Sequence, residues 1–577
     1  MVSDKLRQYT KFFKLQRLEQ EKKYEQYAMT SLSSLFSEGR AFYGNVSGVT
    51  EQGHIVLNFT SPFTPRLKVP MVMCILKSQG IQEYGSDISG WSCNSLKFRE
   101  NIATHTSFSD VCPLYFLTNN KTIGCGQVCF ELIEAVKGAI QQGRVLYFVM
   151  LESLPPTELL KNLTDYITRH PDDPYLLLEH VRTYDQWHPK VLDNNADAGS
   201  EIIETLKTED VCILQGPPGT GKSFTLGAII SKYTEQGRTV CVTTQSNASL
   251  ISLISQDTLK PHIERGGPIC KTVLTSEELN RHPFLINAEK GLRVQEGGLL
   301  CTTYYSLSRI INETDSPIYD LIIIEEASQA FLTAISAFMK LGQKCIIVGD
   351  PMQLPPVVEI MNETDYQGID IDTQSNGMMT IVRSLNVPSF RITSSYRLTP
   401  KAASQTKVFY GGNLNSMKPE LTIYDAPNNL SKFFPDEGGT IIFNTNGSAN
   451  ANCSEDALNL IEEIVDMFVE RYPKQRLAIL SPFVSATKKL QERFYVQSKT
   501  LDILIETINR IQGETVDYCI YYIPQRNFDF AFSDNLFNVA TSRSKSTTLI
   551  ITDIPIDLIN IRSNKVYEFI SKCERIN

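Results

Sequence analysis

The spacing of hydrophobic positions changes several times along the chain, and each change predicts a different kind of element. In residues 5–29, Leu6, Tyr9, Phe13 and Leu18 recur at roughly helical spacing among Lys, Arg, Gln and Glu. This pattern predicts a helix with one apolar face. The polar residues on its other sides indicate a helix that packs on protein, not one that anchors in a membrane.

Short alternating runs follow this helix and predict a small all-β module. The runs are AFYGNVSGV, HIVLNFTS, VPMVMCILK and VLYFVMLESL, and they are separated by stretches containing Gly, Pro and Asn. Alternating apolar and polar residues between turn signals are typical of short strands with one buried face. We therefore expect an N-terminal helical segment over 1–40, a β module over 41–154 and a polar helical connector over 155–190.

The remainder of the chain predicts two α/β domains in tandem. The apolar runs VCILQ, VCVTT, LLCTT, LIIIEE and CIIVGD alternate with helical segments. Runs of this kind are typical of a parallel sheet covered by helices on both faces. A second series contains TIIFN, LAILSP, ILIETI, YCIYYIP and TTLIITD. The predicted domains span 191–388 and 389–577, with loops and short helices over 251–298.

Length and composition agree with several soluble domains. The 577 residues are 42% hydrophobic and 21% charged, which is ordinary globular composition in a chain too long for one core. The N-terminus has charges where a signal peptide needs an apolar core, and no run of about 18 apolar residues occurs, so we expect no membrane span. The formal net charge of -9 argues against a general polyelectrolyte binder but permits a local basic groove.

The cysteines indicate a reducing compartment. The chain has 13 of them, an odd number without tight pairing. The spacing of Cys93, Cys112, Cys125 and Cys129 lacks the double CxxC pattern of a structural zinc site. We expect reduced thiols in a cytoplasmic or nuclear protein.

Residues 211–227, VCILQGPPGTGKSFTLG, carry the most specific motif of the chain. A predicted strand leads into GxxxxGK[ST] and then into a helix, which is the arrangement that binds the phosphates of a nucleoside triphosphate. Glycine lets backbone N–H groups approach phosphate closely. Lys222 is expected to reach the β and γ phosphates and Ser223 to join the ligands of Mg²⁺. The predicted phosphate-binding residues are Gly216, Pro217, Pro218, Gly219, Thr220, Gly221, Lys222 and Ser223.

The run LIIIEEASQA ends a buried strand in two adjacent acids, Glu325 and Glu326. An acid pair also occurs as an ordinary solvated strand end. In P-loop enzymes, however, a second strand ends in an acid that holds Mg²⁺ and a neighbour that polarises the attacking water. The sequence therefore predicts Glu325 as a metal-side residue and Glu326 as the catalytic one. The metal-side residue is usually Asp, and Glu325 is one methylene longer.

Taken together, the strings LQGPPGTGKS, EEASQA, VGDPMQLPPV, SYRLTP, INRIQGE and FNVATSRSK resemble superfamily 1B helicases of the up-frameshift type. That family includes senataxin-like and immunoglobulin-mu-binding helicases, and the resemblance covers about 192–553. It implies two tandem RecA-like α/β domains, and the layout of the preceding segments resembles the family's helical stalk and small β-barrel. The implied activity is ATP-driven, Mg²⁺-dependent 5′ to 3′ translocation on single-stranded nucleic acid.

The resemblance also assigns residues around the nucleotide. Gln353 of GDPMQLPPV would sense the γ phosphate or the attacking water. Arg397 and Arg543 of the second α/β domain would enter the interdomain cleft as arginine fingers. Tyr396 would stack on the base and Glu514 would contact the ribose.

A nucleic-acid track is implied at the loop ends of both α/β domains. Single strands are bound by hydroxyl and amide groups on phosphates and by flat groups on bases. By resemblance, the contacting residues are Ser246, Asn247, Thr303, Pro482, Phe483 and Thr507. Each is also an ordinary turn or cap residue type, and the neighbouring Lys488 and Lys489 are expected on a solvated helix face.

Besides Glu325, three positions depart from the family pattern. Ala196 stands where an adenine-reading Gln is expected, so other nucleoside triphosphates are candidates as well. Asn509 replaces an Asp, and Ser542 replaces a Thr. Glu325 in place of Asp and Ala196 in place of Gln leave a second function open, a nucleotide-gated clamp or scaffold that closes on nucleic acid or protein without unwinding. A P-loop kinase is a third, but it needs only one such domain.

Overall fold

The computed structural model of the chain describes residues 2–50, 53–60, 70–76, 111–119, 123–127, 130–152, 157–193, 195–274, 276–419, 430–445, 453–494, 497, 502–524 and 528–576. Two compact units make up the chain. The first draws on Met1–Arg17, Thr157–Thr487 and Ile503–Asn577, and the second on Leu18–Pro156 and Lys488–Asp502. The small β module lies in the second unit, and both α/β lobes lie in the first.

The N-terminal segment is helical, as its apolar spacing predicts. Helix α1 spans Val2–Met29 and helix α2 spans Leu32–Ser37. Tyr9 and Phe13 of the predicted apolar face are fully buried, whereas Leu18 is 43% exposed. Tyr24 and Tyr27 in the second half of α1 are also buried, so the buried face continues along the helix although Leu18 lies outside it.

Six antiparallel strands form a closed barrel in the order β1-β2-β5-β4-β3-β6. The elements are β1 (Ala41–Val49), β2 (Ile55–Phe59), β3 (Pro70–Leu76), β4 (Val111–Asn119), β5 (Ile123–Gln127), α3 (Phe130–Gln141) and β6 (Leu146–Glu152). Alternate residues of β2, namely Ile55, Leu57 and Phe59, are buried in its core. Cys93 and Cys129 lie outside the described residues.

The first α/β lobe follows a connector helix and contains nine strands. Its strands are β7 (Lys190–Leu192), β8 (Val211–Gln215), β9 (Val240–Thr244), β10 (Ile269–Lys271), β11 (Leu285–Asn287), β12 (Leu299–Thr303), β13 (Tyr319–Ile324), β14 (Gly342–Gly349) and β15 (Ser389–Ile392). The helices are α4 (Glu158–Arg169), α5 (Asn195–Thr205), α6 (Lys222–Glu235), α7 (Asn247–Ile254), α8 (Lys260–Glu264), α9 (Ser276–Arg281), α10 (Tyr304–Leu307), α11 (Leu332–Met339), α12 (Ile371–Ser375) and α13 (Gly377–Ser384).

The strands of this lobe are parallel and are ordered β11-β10-β12-β9-β13-β14-β8-β15-β7. Continuous apolar runs occur in β9 and β13 because both faces of a parallel sheet are covered, and every residue from Leu321 to Ile324 is fully buried. The carboxyl ends of β8 and β13 lie at one edge of the sheet, since parallel strands end together.

Two predictions for this lobe need correction. Strand β15 lies in the first sheet, with Phe390 opposite Leu214 of β8, so the lobe extends past the predicted boundary at residue 388. Phe390 and Ile392 are buried in the core of that lobe. Residues 251–298 contain β10 and β11 as well as loops and short helices. Three-residue strands are too short to display an alternating pattern.

The second α/β lobe has a six-stranded parallel sheet in the order β20-β19-β21-β22-β18-β23. The strands are β16 (Ser394–Ser395), β17 (Asn415–Ser416), β18 (Gly439–Asn444), β19 (Leu477–Ser481), β20 (Ile503–Thr507), β21 (Tyr518–Ile523), β22 (Thr547–Thr552) and β23 (Glu574–Ile576), of which β16 and β17 pair separately. The helices are α14 (Pro400–Thr406), α15 (Glu455–Arg471), α16 (Val484–Arg493), α17 (Phe528–Ala531), α18 (Asp534–Thr541) and α19 (Asn564–Ser571). Across the described part of the chain, no helix combines the length and apolar character needed to cross a membrane.

Candidate active site

The glycine-rich loop lies between β8 and α6, as the motif predicts. Gly219 and Gly221 have φ values of 74° and 77°, in the left-handed region that favours glycine. A Cβ on Gly216 would lie 2.2 Å from Cγ of Lys222, so the lysine side chain runs directly over the loop. Lys222 Nζ donates to the carbonyl of Gly216 at 2.8 Å. The loop backbone and this ammonium therefore converge in one place.

Glu325 lies beside Ser223 at the carboxyl edge of the first sheet. Ser223 Oγ donates to Glu325 Oε1 at 3.0 Å, and Glu325 Oε2 is buried with no hydrogen-bond partner among the described residues. Burial, reinforced by the neighbouring charge of Glu326, raises the pKa of Glu325 to about 7. A buried carboxylate oxygen without a partner, next to a serine hydroxyl, has the ligand chemistry of a Mg²⁺ site.

Glu326 immediately follows β13 and turns the chain sharply. Its φ of 56° and ψ of 38° lie in the left-handed region, and a short 3-10 turn follows it. A non-glycine residue in this conformation is uncommon and marks a position held by its surroundings. Glu325 is buried whereas Glu326 is half-buried, so the two adjacent carboxylates have different surroundings.

The two predicted arginine fingers approach this region from the second lobe. A Cβ on Gly219 would lie only 2.2 Å from Cβ of Arg397, so Arg397 is in contact with the phosphate loop. Burial and the nearby charge of Arg543 lower the pKa of Arg397 to about 9, and Glu326 opposes that change. Burial also lowers the pKa of Arg543, again opposed first by Glu326. Both guanidinium groups thus lie within electrostatic range of Glu326.

Arg543 has an unsatisfied donor at this site. Its side chain is buried, and Nε has no hydrogen-bond partner among the described residues. Arg397 Nη1 donates weakly to the carbonyl of Ser542 at 3.4 Å. A buried and a half-buried guanidinium group with little protein pairing are suited to an anionic ligand, because a buried cation without an anion is costly.

Sequence reasoning identified Gln353 but missed the buried carboxylate that orients it. Gln353 Nε2 donates to Asp350 Oδ2 at 3.3 Å. Asp350 also accepts from Gln215 Nε2 at 3.2 Å and from Tyr410 OH at 2.6 Å. Asp350 stands in the string GDPMQLPPV, so its motif was visible, but two of its partners, Gln215 and Tyr410, are far away in the chain. The network joins the strand before the phosphate loop to the Gln353 loop.

Two asparagines of helix α18 bring the second lobe onto the same loop. Asn538 Nδ2 donates to the Met352 carbonyl at 2.9 Å and to Tyr410 OH at 2.8 Å. Asn535 Nδ2 donates to the carbonyl of Gln353 at 2.6 Å. Helix α18 ends just before Arg543, so the loop and the arginine belong to one connected structure.

Tyr396 and Glu514 are the residues predicted to contact the base and the ribose. Tyr396 is 52% exposed, and its backbone N–H donates to the Gly219 carbonyl at 2.8 Å. Glu514 accepts a hydrogen bond from Arg476 Nη1 at 2.9 Å. Tyr396 therefore borders the phosphate loop, while the Glu514 carboxylate is engaged in an ion pair. The roles given to both remain predictions.

The predicted nucleic-acid residues lie at strand ends in both lobes. In the first lobe, Ser246 and Thr303 cap helices α7 and α10 with their side chains, and they follow the adjacent parallel strands β9 and β12. Asn247 is the first residue of α7 and accepts a hydrogen bond from Lys271. Cap residues of this kind have a structural role whether or not they also bind a ligand.

In the second lobe, the corresponding residues follow the adjacent strands β19 and β20. Pro482 and Phe483 come directly after β19, and the ring of Phe483 lies 6.1 Å from that of Phe530. Thr507 ends β20 and is buried. The structure thus brings Pro482, Phe483 and Thr507 to one edge of the sheet, and their contact with nucleic acid remains a prediction.

The positions that depart from the family pattern are found at three different places. Ala196 lies in α5, where its side chain is outside the described set. Asn509 is exposed in a 3-10 turn after β20. Ser542 Oγ donates to the carbonyl of Asn538 at 2.6 Å, which ties it to α18. No cluster of three or more His, Cys, Asp or Glu side chains suited to a metal occurs in the described ranges.

Comparison with known proteins supplies the family. Two family models, each described as an AAA domain, match residues 294–360 and 375–554. Helicase sen1 of Schizosaccharomyces pombe is 24% identical over 298 residues, covering 48% of this chain and 17% of the relative. These matches, together with the motifs and the two parallel sheets, support a superfamily 1B helicase of the up-frameshift and senataxin type. The chain has the phosphate loop and the two RecA-like lobes of that type.

Two further similarities are to proteins named as helicases. DNA polymerase alpha-associated DNA helicase A of Saccharomyces cerevisiae is 21% identical over 451 residues, covering 63% of this chain and 65% of the relative. A solved structure titled "Crystal structure of Arterivirus nonstructural protein 10 (helicase)" has 11% identity and a TM-score of 0.36, covering 77% of this chain and 71% of that one. The chain spans 17%, 7% and 27% of the first three curated relatives it matches.

Proposed function

We propose that this helicase hydrolyses a nucleoside triphosphate, with ATP as the leading candidate, and uses the energy to move 5′ to 3′ along single-stranded nucleic acid. One observation carries the proposal. Arg397 and Arg543 of the second lobe lie within electrostatic range of Glu326, and Arg397 contacts the phosphate loop of the first. A site that is complete only when both lobes contribute makes hydrolysis depend on their relative position.

The first lobe would hold the nucleotide and its metal. The backbone of Gly216–Gly221 would bind phosphate oxygens, and Lys222 would exchange its contact with the Gly216 carbonyl for the β and γ phosphates. Ser223 and Glu325 would hold Mg²⁺, and the unpartnered Glu325 Oε2 supports this assignment. A bound Mg²⁺ neutralises phosphate charge and aligns the phosphates for in-line attack.

Hydrolysis would use residues from both lobes. Glu326 would accept a proton from the attacking water, while Gln353, held by Asp350, would orient that water. Arg397 and Arg543 would neutralise charge developing on the γ phosphate, a contribution of about 10³- to 10⁵-fold in related sites. Loss of the γ phosphate would remove the anion that both arginines face. The lobes would then loosen and change their grip on the strand.

The strand would cross the carboxyl edges of both sheets. Ser246, Asn247 and Thr303 of the first lobe and Pro482, Phe483 and Thr507 of the second supply hydroxyl, amide and flat groups suited to a single strand. Because these residues belong to different lobes, each cycle of closing and opening would shift one set of contacts against the other. Directional movement follows if the two sets release the strand in turn.

A nucleotide-gated clamp without unwinding activity is the second candidate. The observation in its favour is Glu325, whose raised pKa of about 7 keeps the metal-side carboxyl partly protonated near neutral pH. A protonated carboxyl is a poor Mg²⁺ ligand, so hydrolysis would be slow while nucleotide-dependent closure persisted.

The test measures hydrolysis and strand separation together, on DNA and RNA duplexes with a 5′ or a 3′ overhang. The helicase proposal predicts ATP turnover stimulated by single strands and unwinding only from the 5′ overhang. Tight nucleotide-dependent binding with no displacement would favour the clamp. Unwinding from the 3′ overhang would overturn the proposed direction.

A further inference from the structure

Lys271 is a fully buried lysine that no part of the proposed reaction uses. It ends strand β10, and its side chain has no exposed surface. Its Nζ donates to Asn247 Oδ1 at 3.0 Å, to Glu278 Oε2 at 3.1 Å and to the carbonyls of Thr272 and Val273 at 3.2 and 3.1 Å. Lysine is almost never fully buried unless its charge is paired and its donors are satisfied. The chain therefore builds a dedicated pocket for this ammonium group.

The backbone after β10 is bent to complete that pocket. Val273 has a φ of 53°, a strained conformation for a β-branched residue. The bend allows the carbonyls of both Thr272 and Val273 to face the ammonium. Thr272 in turn bonds strand β12, through its N–H to the Cys301 carbonyl at 3.1 Å and its hydroxyl to that of Thr302 at 3.2 Å. Backbone strain of this kind persists where the surrounding structure holds it, and it often marks a functional site.

The contact with Lys271 fixes the orientation of the Asn247 amide. An ammonium group has three donors and no acceptor, so the amide atom that faces it must be the oxygen. The Asn247 Nδ2 group therefore points away from Lys271, and it donates to none of the described side chains or backbone atoms. Asn247 is half-buried at the start of α7, next to the capping Ser246. Its two N–H donors are thus left without a protein acceptor among the described residues.

We propose that Lys271 is a positioning residue that orients Asn247 so that Nδ2 donates to a phosphodiester oxygen of the bound single strand. This inference rests on the proposed function, since it needs a strand at the edge of the first sheet. Lys271 itself does not touch the strand, because its ammonium is enclosed. A donor directed at phosphate reads neither the base nor the 2′-hydroxyl, so this contact is the same for DNA and RNA.

The first experiment separates positioning from direct charge contact. The affinity of fluorescein-labelled oligo-dT and oligo-U is measured at several salt concentrations for the parent helicase and for Lys271→Met. We expect about a 5- to 20-fold weaker affinity for both strands, the effect of one lost well-placed hydrogen bond. The slope of log K against log salt stays unchanged. A slope smaller by about 0.7, the value for one neutralised phosphate on a single strand, would show direct contact and overturn the proposal.

The matched control is Lys344→Met. Lys344 also lies on the first sheet, near the amino end of β14, and pairs with Asp210 at 2.8 Å. The Lys344→Met substitution removes one lysine charge from the same lobe as Lys271, but from the opposite edge of the sheet. Parental affinity is expected for this variant. An equal loss in both lysine variants would indicate a general charge effect and count against the proposal.

Two Asn247 variants keep the inference testable if Lys271→Met does not fold. Asn247→Asp retains an acceptor for Lys271 but has no donor for phosphate, so we expect weaker binding than the parent with an intact fold by circular dichroism. Parental affinity in this variant would refute the role of Nδ2. Where Lys271→Met does fold, it should cause no further loss in an Asn247→Ala background, and additive losses would refute the coupling.

These outcomes are separate from those of the proposed function. Strand affinity is measured without hydrolysis or unwinding, so a helicase that binds strands but lacks turnover still tests the role of Lys271. Conversely, strand-stimulated turnover in the parent together with parental affinity in Lys271→Met and Asn247→Asp would leave the function standing and remove the inference.

Discussion

At the scale of single residues, Glu325 is the most unusual group of the site. Its carboxyl is buried and adjacent to Glu326 in the chain, and among the described residues it is stabilised as an anion by Ser223 and by the nearby charge of Lys222. A carboxylate in such a position is destabilised until a cation binds beside it. The residue therefore links the stability of the first lobe to pH and to metal.

The first prediction concerns the pH dependence of stability without nucleotide. The pKa of Glu325 is raised from an ordinary 4.5 to about 7, so between these values the folded chain holds a proton that the unfolded chain has released. The contribution of Glu325 to the free energy of unfolding is therefore highest below about pH 4.5. It falls as the pH rises from there to about 7, by up to about 3 kcal/mol in total.

Chemical denaturation at pH 5 and pH 8 checks this prediction. Relative to the parent, Glu325→Gln is expected to gain stability at pH 8 but not at pH 5, since its amide does not ionise. Mg²⁺ and nucleotide should reduce the difference at pH 8 by favouring the parent carboxylate. If Glu325→Gln changed the free energy of unfolding equally at pH 5 and pH 8, the raised pKa of Glu325 would not be the cause.

The second prediction concerns the chemical step. Glu326→Gln removes the proposed base while retaining the shape of the side chain, and we expect strand-stimulated turnover to fall by about 10²- to 10⁴-fold with nucleotide binding preserved. Lys222→Ala should abolish turnover and weaken nucleotide binding as well. Lys232→Ala, on the exposed face of the same helix α6, is the control and should behave as the parent. If Glu326→Gln or Lys222→Ala hydrolysed ATP at the parental strand-stimulated rate, the assignment of these residues to the active site would be wrong.

At the scale of elements, the sequence predicted what is local and missed what is assembled from distant segments. GPPGTGKS and EEASQA identify their elements because a phosphate loop and a strand end are contiguous in the chain. Strand β15 was placed in the wrong lobe because its four residues, SFRI, are too few to show which sheet they join. The partners of Asp350 and Lys271 were invisible, since their hydrogen bonds join residues remote in sequence or hidden in an unpatterned segment.

The third prediction tests one of these assembled contacts. Tyr410→Phe removes the hydroxyl that donates to Asp350 at 2.6 Å and accepts from Asn538 at 2.8 Å, and it leaves the ring in place. A buried carboxylate that loses a donor costs about 1–3 kcal/mol, so we expect lower stability together with reduced strand-stimulated turnover.

Tyr567→Phe is the matched control, because Tyr567 is 66% exposed and its hydroxyl is available to water. It should leave stability and turnover unchanged. If Tyr410→Phe lowers stability but leaves strand stimulation at the parental level, the network is structural only and does not connect Gln353 to the second lobe.

At the scale of the whole molecule, the two RecA-like lobes contribute different groups to the candidate active site. The first contributes the phosphate loop and both acids, whereas the second contributes cations and the asparagines that hold the Gln353 loop. Each lobe has its own buried sheet and so remains ordered while contacts between the lobes change. Such an arrangement allows nucleotide chemistry to be coupled to movement along a strand.

The fourth prediction separates binding of the nucleotide from its hydrolysis by the assembled site. Arg543→Ala and Arg397→Ala should each lower kcat by about 10³- to 10⁵-fold, because both guanidinium groups act on charge that develops during phosphoryl transfer. Nucleotide affinity, measured with a fluorescent ATP analogue, should change far less, since the phosphate loop of the first lobe is intact. Arg562→Ala removes an exposed arginine that pairs with Asp529 on the second lobe and should retain parental turnover. If the site variants lost affinity and kcat in equal proportion, the arginines would be ground-state ligands, and the dependence of hydrolysis on lobe closure would need another cause.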